Sequence, residues 1–254
     1  MKAFGSVTRV ASLVALDTTQ PVVVKGMVSN WPAVSHPDRS WLDWARLKKR
    51  LQVKHGDADD SIVVPVEFNG TYMDANMKQA QVGFYSILDT LCTEADLESK
   101  AKLAEEPRPV HHLRWFLAQY EVKEISPLLL EDVEIPHVLQ QKDTSSKIPT
   151  IYRNNIWLGS HAGTASPCHY DPFHNILCQV YGRKTIKLFD PVYSENLYPA
   201  LNTTQKNTST VIDINYSTGC PADTENESSP KFPLYEHAKG LECTLEPGDV
   251  LLIP

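Results

Sequence analysis

The second half of the chain carries five short strand-like runs, at 151–159, 175–181, 184–189, 241–246 and 249–253. Each is too short for a stable helix, apolar or β-branched in its middle, and bounded by turn residues. Tyr181-Gly-Arg183 and Glu246-Pro-Gly-Asp249 are the tight connections between neighbouring runs. Several strands joined by turns can bury their apolar faces in few ways, and the pattern predicts an antiparallel sandwich or barrel. The stretch 200–232 is rich in Asn, Thr, Ser and Pro and reads as a long surface insertion, not a domain boundary. Hydrophobic residues make up 42% of 254 and charged residues 22%, which is enough for a packed core and excludes wholesale disorder.

Residues 1–150 read differently, as a mixed and helix-rich stretch. Pro21-Val-Val-Val-Lys-Gly26 and Ser61-Ile-Val-Val-Pro-Val-Glu-Phe68 are predicted strands. Ser40 with Asp43 predicts a capping box, and Trp41, Trp44, Leu47 and Leu51 then fall on one helical face. Further helices are expected near 82–105 and near Arg114–Val122. The expected organisation is a helix-rich part, 1–150, and a β-rich core, 151–254, within one domain.

Charge and punctuation narrow the partners. The formal net charge is -7, which argues against non-specific duplex nucleic-acid binding. The one basic cluster, Arg46-Leu-Lys-Lys-Arg50, reads as a solvated helix face. No run approaches the ~18 apolar residues of a membrane span, so no membrane partner is expected. Lys2 and Arg9 with no acid before Asp17 resemble a transit peptide faintly, but no convincing cleavage site follows, and the segment is read as part of the fold. The five cysteines are odd in number and widely spaced, so reduced thiols in an intracellular protein, nuclear or cytoplasmic, are expected. Sequons at Asn69, Asn202, Asn207, Asn215 and Asn226 are read as chance products of polar loops.

His-x-Asp is a natural metal half-site, because residues i and i+2 of a strand project from one face. Two histidines and one carboxylate make the facial triad that holds Fe(II) and leaves positions open. The chain has three instances, His36-Pro-Asp38, His55-Gly-Asp57 and His169-Tyr-Asp171. Nine histidines and 16 aspartates in 254 residues would give about 0.6 by chance, so at least two are expected to be accidental. His36 and Asp38 sit in a Pro-containing loop, and His55 and Asp57 border the acidic loop Gly56-Asp-Ala-Asp-Asp60. Only His169 and Asp171 lie where the strand-rich half begins. In Lys184-Thr-Ile-Lys-Leu-Phe189, period two puts Lys184 on the face of Ile186 and Leu188. Either that face is interior and the cation needs an anion, or Lys184 snorkels to water at the strand end.

The stretch Trp157-Leu-Gly-Ser-His-Ala-Gly-Thr-Ala-Ser-Pro-Cys-His-Tyr-Asp-Pro-Phe-His-Asn175, with Gln179-Val-Tyr-Gly-Arg-Lys184, resembles the JmjC/cupin-like Fe(II)- and 2-oxoglutarate-dependent oxygenases, most of all the JMJD5-like hydroxylases. Pro21–Gly26 with Asn30-Trp-Pro32, Val64-Pro-Val-Glu-Phe-Asn-Gly-Thr-Tyr72 and Leu245-Glu-Pro-Gly-Asp-Val-Leu-Leu-Ile-Pro254 extend the resemblance over nearly the whole chain. It implies an α+β fold, mainly β: a double-stranded β-helix (jelly roll) with a helical N-terminal flank. It implies that His169 and Asp171 are the first two iron ligands and that Lys184 pairs with the distal carboxylate of 2-oxoglutarate. It further implies that Tyr72, Ser166 and Asn175 hydrogen-bond the co-substrate and that Trp157 lines the pocket.

The family's third ligand is a histidine shortly after the strand ending in Ile-Pro, where this sequence stops at Pro254. His111, His112, His137, His161, His174 and His237 do not sit in that motif. The expectation is a fragment whose last strands and third ligand lie beyond Pro254. The implied activity is a dioxygenase using Fe(II), 2-oxoglutarate and dioxygen. Its expected substrate is a protein or peptide side chain, arginine or a methyl-lysine whose hydroxylation leads to demethylation. The alternatives are a tRNA-modifying hydroxylase and a catalytically dead JmjC-like binding module.

Overall fold

The computed structural model describes residues 4–11, 19–56, 61–68, 71–74, 77–103, 114–134, 153–160, 163–201, 204–211 and 232–254. Asp57, Cys220, His111, His112, His137, His161, four of the five sequons and most of 200–232 lie outside these residues. The chain divides into two compact units, one of residues 1–26 with 165–254 and one of residues 27–164.

In the first unit, β1 (Gly5–Ser6), β2 (Thr8–Val10) and β3 (Val22–Val24) come from the start of the chain. β8 (Asn175–Cys178), β9 (Lys184–Phe189), β10 (Gly240–Leu245) and β11 (Val250–Ile253) come from its end. They make two sheets, in the orders β1-β10-β9 and β2-β3-β11-β8. β9 with β10, β3 with β11 and β8 with β11 are antiparallel, while β1 with β10 and β2 with β3 are parallel. The two sheets meet over one apolar core. Val7, Val23, Cys243, Leu245 and Leu251 are buried in it, and Leu177, Ile186, Leu188, Leu241 and Ile253 pack against them.

The two tight connections seen in the sequence carry the chain from one sheet to the other. Tyr181-Gly-Arg183 joins β8 to β9, and Gly182 takes a positive φ of 66° there, a conformation that costs a side-chain-bearing residue free energy. Glu246–Asp249 joins β10 to β11. The buried Asp249 locks this corner: its carboxylate accepts from Gly26 N at 3.1 Å and from Glu246 N at 3.3 Å. This is a layered jelly-roll arrangement of strands, the fold class the resemblance implies.

The second unit is a four-stranded antiparallel sheet with helices. Its order is β5 (Lys78–Gly83), β4 (Val63–Phe68), β6 (Trp115–Glu121) and β7 (Asn155–Gly159). The helices are α1 (Pro32–Ser35), α2 (Trp44–His55), α3 (Phe84–Leu103), α4 (Val122–Ile125) and α5 (Pro127–Leu130). Among the described residues no helix is long and apolar enough to cross a membrane.

Two local expectations need correction. Arg114–Glu121 is not helical: residues 115–121 form β6, paired to β4 and β7, and Val122 opens the short helix α4. A short apolar run fits either period, and here a register shift between Leu117 and Tyr120, with Gln119 at φ 55°, breaks the alternation that marks a strand. The helix after Ser40 also begins later. Asp43 is its cap, accepting from Arg46 N at 2.9 Å, while the Ser40 hydroxyl accepts from Leu42 N at 3.1 Å within the preceding turn. Trp44, Leu47 and Leu51 form the buried helical face; Trp41 is buried ahead of the helix, its indole N–H donating to Asp132 Oδ2 at 2.9 Å.

Candidate metal and co-substrate site

His169 and Asp171 lie in the first unit, in the loop that leads into β8. His169 is locally extended and bridges Thr208 in an antiparallel sense. The i, i+2 spacing does what strand geometry predicts: His169 Nε2 comes within 3.9 Å of Asp171 Oδ1, with the two side chains 35% and 37% exposed. The separation exceeds a hydrogen bond. It is shorter than two metal–ligand bonds of about 2.1 Å laid end to end, so one ion can touch both atoms.

The remaining atom of each donor is already engaged. His169 Nδ1 lies 2.8 Å from the Pro167 carbonyl. A carbonyl only accepts, so Nδ1 carries the proton and Nε2 of the neutral ring keeps its lone pair. Asn175 Nδ2 donates to Asp171 Oδ2 at 3.1 Å, which leaves Oδ1 turned toward the imidazole. Outer hydrogen bonds that fix the tautomer and rotamer of a donor pair are what metal sites use to orient their ligands. The residues present therefore fit a divalent ion at His169 Nε2 and Asp171 Oδ1. Among the described residues no group of three or more His, Cys, Asp or Glu side chains could hold a metal, so neither His174 nor His237 completes the set.

Lys184 opens β9, opposite Leu245 of β10. Ile186 and Leu188, on its face of the strand, pack into the apolar core, so that face is interior. Burial pulls the Lys184 ammonium below its ordinary value. Asn175 opens β8 opposite Ile253 and shares the inward face with Leu177, another residue packed against the core. Ser166 is exposed in the stretch just before His169. His169, Asp171 and Asn175 are thus brought together, and Lys184 is set on the interior face of the same unit. Tyr72 and Trp157 belong to the other unit: Tyr72 is half-buried in the turn region after β4, and Trp157 is half-buried in β7.

The other two His-x-Asp instances have local explanations. His36 Nδ1 accepts from Asp38 N at 3.1 Å, closing a turn. His55 Nε2 contacts Ser126 Oγ at 2.8 Å, and its Asp57 lies outside the described residues. The basic cluster is engaged within its own unit: Arg46 pairs with Asp43, Lys48 with Asp89 and Arg50 with Asp132. The four described cysteines, Cys92, Cys168, Cys178 and Cys243, are free thiols.

Two sheets closed over one core, with a His-x-Asp pair at the entrance to the edge strand β8 and Lys184 on the inner face of β9, make a jelly-roll domain. The chain belongs to the cupin-like domain family, which matches it over residues 14–254. It is 31% identical over 240 residues to JmjC domain-containing protein D of Dictyostelium discoideum, covering 92% of this chain and 47% of that protein. It is 31% identical over 241 residues to lysine-specific demethylase 8 of Danio rerio, covering 94% of this chain and 49% of that one. A shorter match, 34% over 134 residues, is to tRNA wybutosine-synthesizing protein 5 of Gallus gallus, over 53% of this chain and 35% of that protein. The chain spans about half the length of the JmjC and demethylase relatives it matches.

Proposed function

We propose that this chain carries the iron and 2-oxoglutarate site of a dioxygenase that hydroxylates a protein side chain. The observation that supports it most is the paired orientation of the two donors. His169 gives Nδ1 to the Pro167 carbonyl and Asp171 gives Oδ2 to Asn175, so Nε2 and Oδ1 are the atoms left for an ion. Fe(II) with 2-oxoglutarate and dioxygen supplies the oxidising chemistry when bound, and the co-substrate leaves as succinate and carbon dioxide. The chain's own residues do the rest. His169 and Asp171 hold the ion, and Asn175 and Pro167 keep their donor atoms aimed. Lys184 offers a cation on the inner face of the same unit, with its ammonium pulled below its ordinary value by burial. The distal carboxylate of 2-oxoglutarate is an anion of the charge this ammonium suits.

A protein side chain is favoured over tRNA as the substrate. The net charge is -7, and three side chains of the basic cluster are spent on Asp43, Asp89 and Asp132. Relatives named lysine-specific demethylases add to this reading, because loss of a methyl group from lysine begins with hydroxylation of that methyl. An intracellular protein with reduced thiols is the matching setting.

A second reading, a binding module without turnover, draws on the lack of a three-donor cluster among the described residues. The two separate in one assay: succinate release from 2-oxoglutarate with added Fe(II), for this chain and for a form extended past Pro254. Turnover in either supports the enzyme. Absence of turnover and of iron retention in both supports the module.

A further inference from the structure

The backbone that carries His169 and Asp171 is held from a segment the sequence presents as a surface insertion. Ser209 N–H donates to the Cys168 carbonyl at 2.8 Å, and Tyr170 N–H donates to the Asn207 carbonyl at 3.1 Å. The Asn207 side chain closes the pair: its Nδ2 donates to the Tyr170 carbonyl at 3.0 Å. Tyr170 is the residue between the two donors, and that carbonyl belongs to the peptide that leads into Asp171. Asn207 therefore grips both backbone polar groups of Tyr170.

The gripping segment is itself framed. Thr208 and Ser209 are 1% and 4% exposed, unusual for polar residues in a surface loop. Thr208 Oγ1 donates to Asn207 Oδ1 at 3.3 Å, fixing the amide so that its nitrogen faces Tyr170. Ala200 N donates to the Thr208 carbonyl at 2.8 Å, and Thr210 Oγ1 donates to the Tyr198 carbonyl at 2.8 Å. A carboxamide suits the position because one end accepts while the other donates. A carboxylate would set an acceptor against the Tyr170 carbonyl, and a methyl group would leave that carbonyl to water.

We propose that Asn207 is a positioning residue for the metal site, fixing the peptide between His169 and Asp171 so that Nε2 and Oδ1 stay within reach of one ion. This rests on the reading of His169 and Asp171 as metal donors. Asn207 touches neither the ion nor the co-substrate; it acts through the Tyr170 backbone.

The test uses the whole chain with Asn207→Ala and Asn207→Asp. Co(II) is titrated calorimetrically and by its visible absorption, and the metal-free proteins are compared by thermal melting and by amide exchange at Tyr170. The expected result is Co(II) binding weakened about tenfold or more, the usual effect of losing an outer-shell partner. The visible band should change, Tyr170 exchange should quicken, and metal-free melting should shift by no more than a few degrees. Wild-type Co(II) affinity in both variants would overturn the proposal, as would a weakening that merely tracks a large fall in melting temperature. Failure of the wild-type chain to bind Co(II) would instead overturn the metal reading beneath it. Tyr170 exchange separates the two cases, since it reports on the clamp without any metal.

Discussion

At the scale of single residues, His169 and Asp171 are each oriented through one atom, Nδ1 on the Pro167 carbonyl and Oδ2 on Asn175. The His-x-Asp spacing and the placement of Lys184 on the face of Ile186 and Leu188 were legible in the sequence, because period two in an extended chain is a covalent property; which way that face points was not. What the sequence did not disclose is the second layer. Pro167 acts through its carbonyl, which no side-chain pattern reveals. Asn207 lies 36 residues beyond Asp171 and looks like an ordinary sequon in a polar loop. Burial also sets the thiols apart. Cys178 is pushed from 9.0 up to about 12 by burial. At pH 8 that leaves about a thousandfold fewer thiolates than an ordinary cysteine has, and the thiolate is the reactive form. We expect native Cys178 to be alkylated at pH 8 at least about 100-fold more slowly than in the urea-unfolded chain; equal rates by mass spectrometry would contradict the packing described. The sign for stability follows. The unfolded thiol loses its proton first, so the contribution of Cys178 falls as pH rises from about 9 toward 12.

At the scale of elements, most strands were legible because they are short, β-branched and fenced by turns. β6 was not, since the bulge near Gln119 breaks its alternation. Pairing was also hidden: the sequence marks Tyr181–Arg183 as a tight connection but not that it changes sheets. Gly182→Ala tests that corner. A Cβ there would meet nothing within 4 Å, so the cost is the positive φ alone. We expect a loss of about 1–2 kcal/mol in urea unfolding; no loss would mean the corner relaxes. Asp132 is the larger element-scale determinant. It is fully buried and pairs with Arg39 Nε and Arg50 Nη1, each at 2.7 Å, while also accepting from the Trp41 indole. It ties α2 to the segment after α5. Asp132→Ala strands two partly buried guanidinium groups, and we expect about 3–5 kcal/mol of destabilisation by the same measurement. A cost below about 1 kcal/mol would show that solvent already screens the pair.

At the scale of the molecule, strand count and turns pointed to an antiparallel sandwich or barrel and the family resemblance to a jelly roll, but the closure of the fold was not readable. β1, β2 and β3 come from the first 26 residues; β1 pairs with β10 and β3 with β11, each more than 200 residues away, and β2 joins through β3. Such contacts leave no local trace. The proposed site draws instead on the later part of the first unit: residues 169–184 would supply the donors and the inner cation, and the polar segment at 204–211 the clamp. The most direct test of the site is equilibrium binding of 2-oxoglutarate, with and without Mn(II), to the wild-type chain, His169→Ala and Lys184→Ala. The account predicts binding that requires the metal, loss of both metal and co-substrate in His169→Ala, and loss in Lys184→Ala of about 30-fold or more in 2-oxoglutarate affinity with metal affinity retained. Metal-independent binding of 2-oxoglutarate, or binding that survives both substitutions, would contradict it.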